Sequence, residues 1–299
     1  MSEVLRDQAE GLRRLLGGER SRVVTVISGK DGVGKTSILV NLAVALAKRG
    51  KYVMLIDEHS GASCAGHMLG LEPRYDLLHV MRGEKQLNEV ILQGPEGVEI
   101  VPAAKGVRAL AGLNASAQQT LVHAFSGLSH PVDVVLVDAF SGIAADTLSL
   151  SLAAQEVVIV VSSQPASITD AYALIKVLSQ NYAKQRFRIL VNKVASAAEA
   201  QSIYNNIEQV AGRFLDVALD FMGYVPLDGK LRQAARLYRP VVSAFPAAAS
   251  AQALRQLAEV MEQWPYPQEE EGRLDVFMQR LIHNSRIPAQ SLESYSSHV

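Results

Sequence analysis

Short runs of β-branched and aliphatic residues alternate with longer Ala- and Leu-rich stretches along most of the chain. The runs occupy residues 23–27, 52–56, 98–102, 134–138, 156–161, 187–192 and 221–226. Strands that are apolar on both faces and separated by helical stretches are typical of parallel sheets covered by helices on both sides. We therefore predict an α/β fold with a doubly wound, mostly parallel sheet flanked by helices.

The segments before and after this alternating region predict the domain organisation. Residues 1–20 form an amphipathic pattern with Leu5, Ala9, Leu12 and Leu16 on one stripe. Residues 21–264 contain the alternating pattern, and residues 265–299 contain a linker, a second amphipathic segment and a Ser-rich tail predicted to be disordered. We predict one α/β domain with a short helix before it and another after it.

Composition and charge exclude several classes of protein. The formal net charge is −1, which gives no global field for holding nucleic acid or anionic lipid. The single cysteine, Cys64, excludes an intrachain disulfide and a four-thiolate metal site within one chain. No apolar run is long enough to span a bilayer, and the first twenty residues are charged throughout. We expect a cytoplasmic protein that does not bind nucleic acid directly.

A glycine-rich loop follows the first predicted strand and opens a helical stretch. It fulfils G-x-x-x-x-G-K-[ST] and consists of Gly29, Lys30, Asp31, Gly32, Val33, Gly34, Lys35 and Thr36, with Ser37 next. Backbone N–H groups of such a loop surround phosphate oxygens, the second lysine neutralises their charge, and the threonine hydroxyl binds Mg²⁺. Asp138, at the end of a later strand, is a Walker-B type carboxylate for the same ion. The pattern predicts a site for ATP or ADP with Mg²⁺.

The loop and two further motifs resemble the deviant Walker-A ATPases of the MinD/ParA family. The motifs are K-x-G-x-G-K-T in the loop, I-D-x-x-x-G at residues 56–61, and D-x-x-x-G at residues 138–142, which ends at Gly142. The resemblance implies a P-loop NTPase fold and an ATP-dependent homodimer in which Lys30 reaches the partner's phosphates. It also implies that Asn192 binds adenine, with residues from Pro226 to Asp228 as the other wall. A solvated loop lysine and an asparagine that caps a strand are the alternatives.

Three longer segments are similar to the FlhG/FleN group, the MinD-like regulators of flagellar number. They are residues 165–180, residues 213–228 and a D-Q-A-x-x-L-R motif formed by Asp7, Gln8, Ala9, Leu12 and Arg13. The resemblance implies that the motif binds an FlhF-type GTPase and that the ATPase domain restrains a FleQ-type transcription activator. A solvated amphipathic helix is the alternative for the motif.

The second amphipathic segment has two interpretations. Leu274, Phe277, Met278 and Leu281 share one helical face, which either contacts the inner membrane or cell pole peripherally or docks on the chain's own domain. The triple glutamate 269–271 just before it repels anionic lipid. The sequence leaves both possibilities open.

Two departures from the family pattern fall at the expected catalytic site, besides smaller ones at Ala139 and Gln164. Asp31 stands where the family has glycine, beside the expected γ-phosphate, and His59 stands where a second aspartate positions the attacking water. The first aspartate of that pair, Asp57, is retained, and the resemblance implies that it assists at Mg²⁺. We therefore predict that Lys30, Asp57 and His59 occupy the catalytic positions and that hydrolysis is slow or absent. The alternative function is that of a ParA-like DNA-partitioning ATPase. The near-neutral composition and an expected lack of clustered Lys and Arg on the later helices argue against it.

Overall fold

All seven predicted runs form strands in the computed structural model, which describes residues 20–265 and 272–286. Within these ranges one sheet contains eight strands in the order β3-β4-β2-β5-β1-β6-β7-β8. Every neighbouring pair is parallel except β3 and β4, which are antiparallel. The strands are β1 (Arg22–Ser28), β2 (Val53–Asp57), β3 (Leu92–Gln93), β4 (Glu99–Pro102), β5 (Val134–Ser141), β6 (Glu156–Ser162), β7 (Arg186–Val194) and β8 (Ala218–Pro226). The predicted fold class is confirmed. The two-residue edge strand β3 was not among the predicted strands.

Helices connect most of the strands and cover both faces of the sheet. They are α1 (Lys35–Ala47), α2 (Ala65–Met68), α3 (Leu77–Met81), α4 (Leu87–Val90), α5 (Ala104–Ala109), α6 (Ala115–Ser126), α7 (Ala145–Ala153), α8 (Pro165–Tyr182), α9 (Ala197–Phe214), α10 (Gly229–Arg236), α11 (Val241–Ala244), α12 (Ala249–Glu262) and α13 (Leu274–Asn284). Short 3₁₀ turns occupy Gly61–Ser63, Pro95–Gly97 and Leu110–Gly112. None of the helices in the described ranges is long and apolar enough to cross a membrane.

Alternate residues of each central strand point into two separate cores, one on each face of the sheet. In β1, Val23 and Ile27 belong to the core that contains α6, α7 and α8, whereas Val24 and Val26 belong to the core that contains α1 and α12. All seven residues of β1 are buried. Because side chains of a strand alternate in direction, a strand covered on both faces needs apolar residues on both, which Val23, Val24, Val26 and Ile27 supply here.

The carboxyl ends of the parallel strands meet along one edge of the sheet. The loop from residue 29 to residue 34 leaves β1 there, and β2 and β5 on one side and β7 on the other end nearby. Asp57 and Asp138 are partners in the β2–β5 register, so their side chains start from adjacent positions. Ligands of doubly wound sheets bind at this edge.

The last described helix, α13, packs on the domain rather than away from it. Leu274, Phe277, Met278 and Leu281 are at most 9 % exposed and belong to the core that contains Val23. Their helix lies against α6 and α7. The structure therefore shows the docked alternative for this face. The predicted partner-binding residues Asp7, Gln8, Ala9, Leu12 and Arg13 lie outside the described residues.

Candidate nucleotide-binding site

The loop between β1 and α1 forms an anion-binding cradle. Gly32 and Gly34 have φ values of 76° and 95°, in the left-handed region that glycine adopts without strain. Gly34 precedes α1, and no side chain caps this helix end. A β-carbon at Gly34 would lie 2.5 Å from Asn192 Nδ2, so the position accepts glycine alone. Uncapped amides at the start of a thirteen-residue helix are suited to phosphate oxygens.

Lys35 and Asp138 form a buried ion pair beside this cradle. Lys35 Nζ donates to Asp138 Oδ1 at 2.8 Å, and the two side chains are 5 % and 0 % exposed. The other carboxylate oxygen, Asp138 Oδ2, is buried and has no hydrogen-bond partner among the described residues. Lys35 offsets the charge of the carboxylate, but a buried acceptor left without a hydrogen bond still costs about 1–3 kcal/mol. The geometry thus fits the predicted cation-binding role of Asp138.

Asp57 and Glu58 end β2 with their carboxylates in different places. Asp57 accepts hydrogen bonds from the backbone N–H groups of Ala65 at 2.6 Å and His59 at 2.9 Å. Burial raises its pKa, and the nearby charge of Asp138 adds to the rise. Glu58 instead accepts from the N–H of Phe140 at 2.8 Å, and burial raises its pKa to about 7. Since Glu58 holds the β5 backbone, it does not replace the missing water-positioning aspartate.

The imidazole of His59 lies inside the cluster of charged groups. Its Nδ1 is 3.2 Å from Asp57 Oδ1 and 3.5 Å from Asp138 Oδ2, and its Nε2 is 3.4 Å from Lys35 Nζ. The ring also contacts Phe140, with centroids 4.8 Å apart, and its side chain is 10 % exposed. His59 is therefore held by its neighbours on both ring nitrogens. This arrangement is not visible in the sequence, which shows the substitution but not its contacts.

On the other side of the loop, Asn192 and Lys193 hold the backbone of the cradle. Asn192 Nδ2 donates to the carbonyl oxygen of Val33 at 2.7 Å, and Lys193 Nζ donates to that of Gly32 at 2.5 Å. Asn192 Oδ1 is buried and has no partner among the described residues. The contact of Lys193 with the loop was not predicted from the sequence. Its position directly after Asn192, a predicted site residue, could have indicated it. The contact with adenine stays a prediction, and so does the alternative of a strand cap.

Asp228, predicted as part of a base-binding wall after Pro226, joins two helices. Its Oδ1 accepts from the N–H of Lys230 at 2.8 Å, and its Oδ2 accepts from Ser250 Oγ at 2.8 Å and Ser250 N–H at 3.0 Å. Burial acts to raise its pKa, but the hydrogen bonds from Ser250 and Lys230 outweigh it and lower the pKa. Asp228 thus caps α10 and anchors α12. Its role at the base stays a prediction.

The remaining predicted loop residues lie around the cradle. Lys30, Thr36 and Ser37 are partly buried, and Asp31 is exposed. The N–H of Gly142 donates to the carbonyl oxygen of Ser28 at 2.8 Å, which brings the loop after β5 against the phosphate loop. Together with Asp57, His59 and Asp138, these residues occupy one side of the sheet edge, as the topology requires.

A doubly wound sheet that carries this loop defines a P-loop nucleotide-binding protein, and the family comparison agrees. The model of the CobQ/CobB/MinD/ParA nucleotide-binding domain matches residues 24–241, and the chain belongs to this family. It is 41 % identical over 263 residues to the antiactivator FleN of Pseudomonas aeruginosa, a match that covers 88 % of this chain and 94 % of FleN. The resemblance to the FlhG/FleN group is therefore confirmed.

Other relatives are consistent with this assignment. The flagellum site-determining protein YlxH of Helicobacter pylori is 28 % identical, over 72 % of this chain and 73 % of that protein. MinD in the MinC:MinD cell division complex of Aquifex aeolicus has a TM-score of 0.65 and 27 % identity, over 83 % of this chain and 98 % of that one. Pyrococcus horikoshii MinD complexed with Mg-ADP has a TM-score of 0.62 and 23 % identity, over 81 % of this chain and 96 % of that one, and supports the fold alone.

Proposed function

We propose that this chain is an ATP-binding regulator of flagellar number or placement that dimerises with ATP and hydrolyses it slowly or not at all. The position of the His59 imidazole, next to Asp57 and Asp138 and beside a phosphate loop that keeps its glycines, Lys35 and Thr36, carries the proposal. The similarity to FleN supports the flagellar role. An intact cradle beside an altered catalytic position is the arrangement expected of a nucleotide-controlled switch rather than an efficient ATPase.

Several residues of the loop are suited to hold ATP or ADP with Mg²⁺. The backbone of residues 29–37 would surround the phosphates, and Thr36, Asp57 and Asp138 would hold the cation, which would neutralise phosphate charge. Lys35 now pairs with Asp138 at 2.8 Å and must turn toward the phosphates. The several negative charges of the phosphates favour that move, because they attract the ammonium group more strongly than the single carboxylate of Asp138 does.

Slow hydrolysis follows from the contacts of His59. A group that orients the attacking water must present a free acceptor toward the γ-phosphate. Nδ1 of His59 faces Asp57 and Asp138. Nε2 faces Lys35 until that lysine turns toward the phosphates, and it then offers a single uncharged acceptor in place of the two oxygens and the negative charge of an aspartate. Asp31 adds a negative charge to the exposed part of the loop. At an intermediate dielectric, a carboxylate about 5 Å from a phosphate charge costs roughly 1 kcal/mol or more.

Dimerisation is tested by size-exclusion chromatography with light scattering in ATP, in ADP and without nucleotide. We expect the unmodified chain to be a dimer in ATP and a monomer in ADP or without nucleotide. Lys30→Ala should remain a monomer in ATP, since Lys30 is the residue proposed to reach the partner's phosphates. Lys105→Ala removes an exposed lysine on α5 and should still dimerise. Binding of a fluorescent ATP analogue by all three proteins is the control. Monomers of the unmodified chain in ATP, despite nucleotide binding, would contradict the proposed switch.

The partner proposals are an FlhF-type GTPase for the N-terminal motif and a FleQ-type activator for the ATPase domain. Deleting residues 1–20 should abolish stimulation of the GTPase, because the deletion removes Asp7, Gln8, Ala9, Leu12 and Arg13. Nucleotide binding should be unchanged, since the described site begins after that segment. GTP turnover by the partner is the measurement. Equal stimulation by the shortened and full chains would refute the assignment of this motif.

A DNA-partitioning function of the ParA type remains the alternative, and one observation favours it. The expected lack of clustered basic residues on later helices was wrong. Residues 229–239 contain four basic side chains and no acidic one, and all four are exposed: Lys230, Arg232, Arg236 and Arg239. Such a patch can contact phosphates non-specifically. An ATP-dependent, salt-sensitive shift of duplex DNA, lost when these residues are replaced, would favour this alternative.

Peripheral membrane contact is part of the proposed function only if α13 leaves the domain. Phe277 and Met278 are 1 % and 0 % exposed, so the apolar face is covered by α6 and α7. Release in a dimer would expose it, and two copies would be needed for useful affinity. The strength of this docking is therefore the quantity to measure.

A further inference from the structure

Asp57, His59 and Asp138 place their polar atoms at separations typical of metal ligands. One ligand atom from each lies within 4.8 Å of the other two. His59 Nδ1 is 3.2 Å from Asp57 Oδ1 and 3.5 Å from Asp138 Oδ2. Ligands at about 2.1 Å from one ion are roughly 3.0–3.4 Å apart when they occupy neighbouring positions of an octahedron or a tetrahedron. The distance from His59 Nδ1 to Asp57 Oδ1 lies within this range, and the distance to Asp138 Oδ2 is about 0.1 Å beyond it, so small side-chain adjustments bring the three groups around one ion.

An unpartnered oxygen points into the same space. Asp138 is 0 % exposed, and its Oδ2 has no hydrogen-bond partner within the described part of the chain. Lys35 binds the other oxygen of this carboxylate, Oδ1. Asp138 can therefore keep its ion pair through Oδ1 and offer Oδ2 to a second cation.

The three ligands are held by groups around them. Backbone N–H groups of His59 and Ala65 orient the two oxygens of Asp57. The ring of Phe140 packs against the imidazole. Outer contacts of this kind fix first ligands in place and strengthen metal binding.

A nitrogen ligand changes which cation the site prefers. Mg²⁺ prefers oxygen ligands, keeps several waters and is usually held with the help of substrate phosphates, whereas imidazole suits Zn²⁺, Co²⁺ and Ni²⁺. We propose that Asp57, His59 and Asp138 form a binding site for a divalent transition-metal ion, which the chain holds without nucleotide. The site goes beyond the proposed function, since it requires neither ATP nor a dimer. It also gives His59 a role other than the loss of a water-positioning group.

Binding of a metal ion by Nδ1 of His59 determines which ring nitrogen carries the proton and changes the contact with Lys35. The neutral imidazole must carry its proton on Nε2, so the proton that Nδ1 can now share with Asp57 moves to the other nitrogen. Lys35 Nζ, now 3.4 Å from Nε2, then loses that contact and keeps its bond to Asp138.

The test is titration of Co²⁺ into the full chain, without a polyhistidine tag and without nucleotide. Visible absorption reports the ligand environment of Co²⁺, and competition with a chromophoric chelator gives the affinity. We expect one Co²⁺ per chain, retained in a large excess of Mg²⁺. His59→Ala and His59→Gln should lower the affinity about 100-fold or more, since even losing a group that only orients a ligand costs about 10–100-fold.

His130→Ala is the matched control, because His130 Nε2 pairs with Glu99 at 3.1 Å outside the cluster. It should bind Co²⁺ as the unmodified chain does. Thermal unfolding of the unmodified chain adds a readout that needs no variant, since Co²⁺ should raise its midpoint while Mg²⁺ does not. Equal affinity after loss of His59, or displacement of Co²⁺ by Mg²⁺, would overturn the inference. ATP-dependent dimers would still form in that case, so failure of the metal site is distinct from failure of the switch.

Discussion

The double variant His59→Asp with Asp31→Gly should hydrolyse ATP about 100-fold faster than the unmodified chain, since positioned groups that assist proton transfer contribute about 100-fold or more. Aspartate at position 59 restores a carboxylate for the attacking water and ends the present contacts of the imidazole with Asp138 and Lys35. Glycine at position 31 removes the negative charge beside the phosphates. We expect His59→Asp alone to give most of the increase, because it changes the group at the reacting centre.

Phosphate release by purified protein is the measurement, with three controls. His123→Asp makes the same change at an exposed site on α6 and should leave the rate unchanged. Lys30→Ala in the double variant should remove the gain, because Lys30 is the residue proposed to assist in trans. Fluorescent-nucleotide binding should be similar in all proteins. If the unmodified chain already turns over ATP as fast as the double variant, the proposal of lost hydrolysis is wrong.

Phe277→Ala should lower the free energy of unfolding by about 3–5 kcal/mol, the cost of removing a large aromatic side chain from a packed core. Phe277 is 1 % exposed and lies in the core between α13 and the sheet, with α6 and α7 next to its helix. The small side chain leaves a cavity that neighbouring elements fill only in part. A loss of this size shows that α13 is a structural element of the domain.

Denaturant unfolding measures the change, and Gln279→Ala is the control on the same helix. Gln279 is exposed, so its replacement should change the stability by less than about 0.5 kcal/mol. A sedimentation assay with anionic vesicles adds the second readout. An effect of Phe277→Ala below about 1 kcal/mol, together with vesicle binding that the substitution abolishes, would show that the apolar face serves the membrane and not the core.

Much of the fold could be predicted because each local pattern has one compatible structure. The strand 22–28 carries apolar residues on both of its faces, at positions 23, 24, 26 and 27, which is typical of a strand buried on both sides. Gly34 stands in the loop after it, where a left-handed backbone is required. The edge strand β3 was missed because two residues, Leu92 and Gln93, carry no periodicity. The basic cluster at residues 229–239 was visible in the sequence and was overlooked in favour of the overall charge.

The phosphate loop and Asp138 were predicted from the sequence because glycine, lysine and carboxylate spacing follows from the chemistry of phosphate and cation binding. The role of Asp57 and the departure at His59 came from the resemblance to the MinD/ParA family. The tertiary structure decided what those residues touch. Distances such as 3.5 Å between His59 Nδ1 and Asp138 Oδ2 join positions seventy-nine residues apart, and only the pairing of β2 with β5 brings them together. The tertiary structure likewise decided that the apolar face of α13 is buried in the domain. An amphipathic pattern predicts that a helix face contacts another surface, but it does not specify which surface.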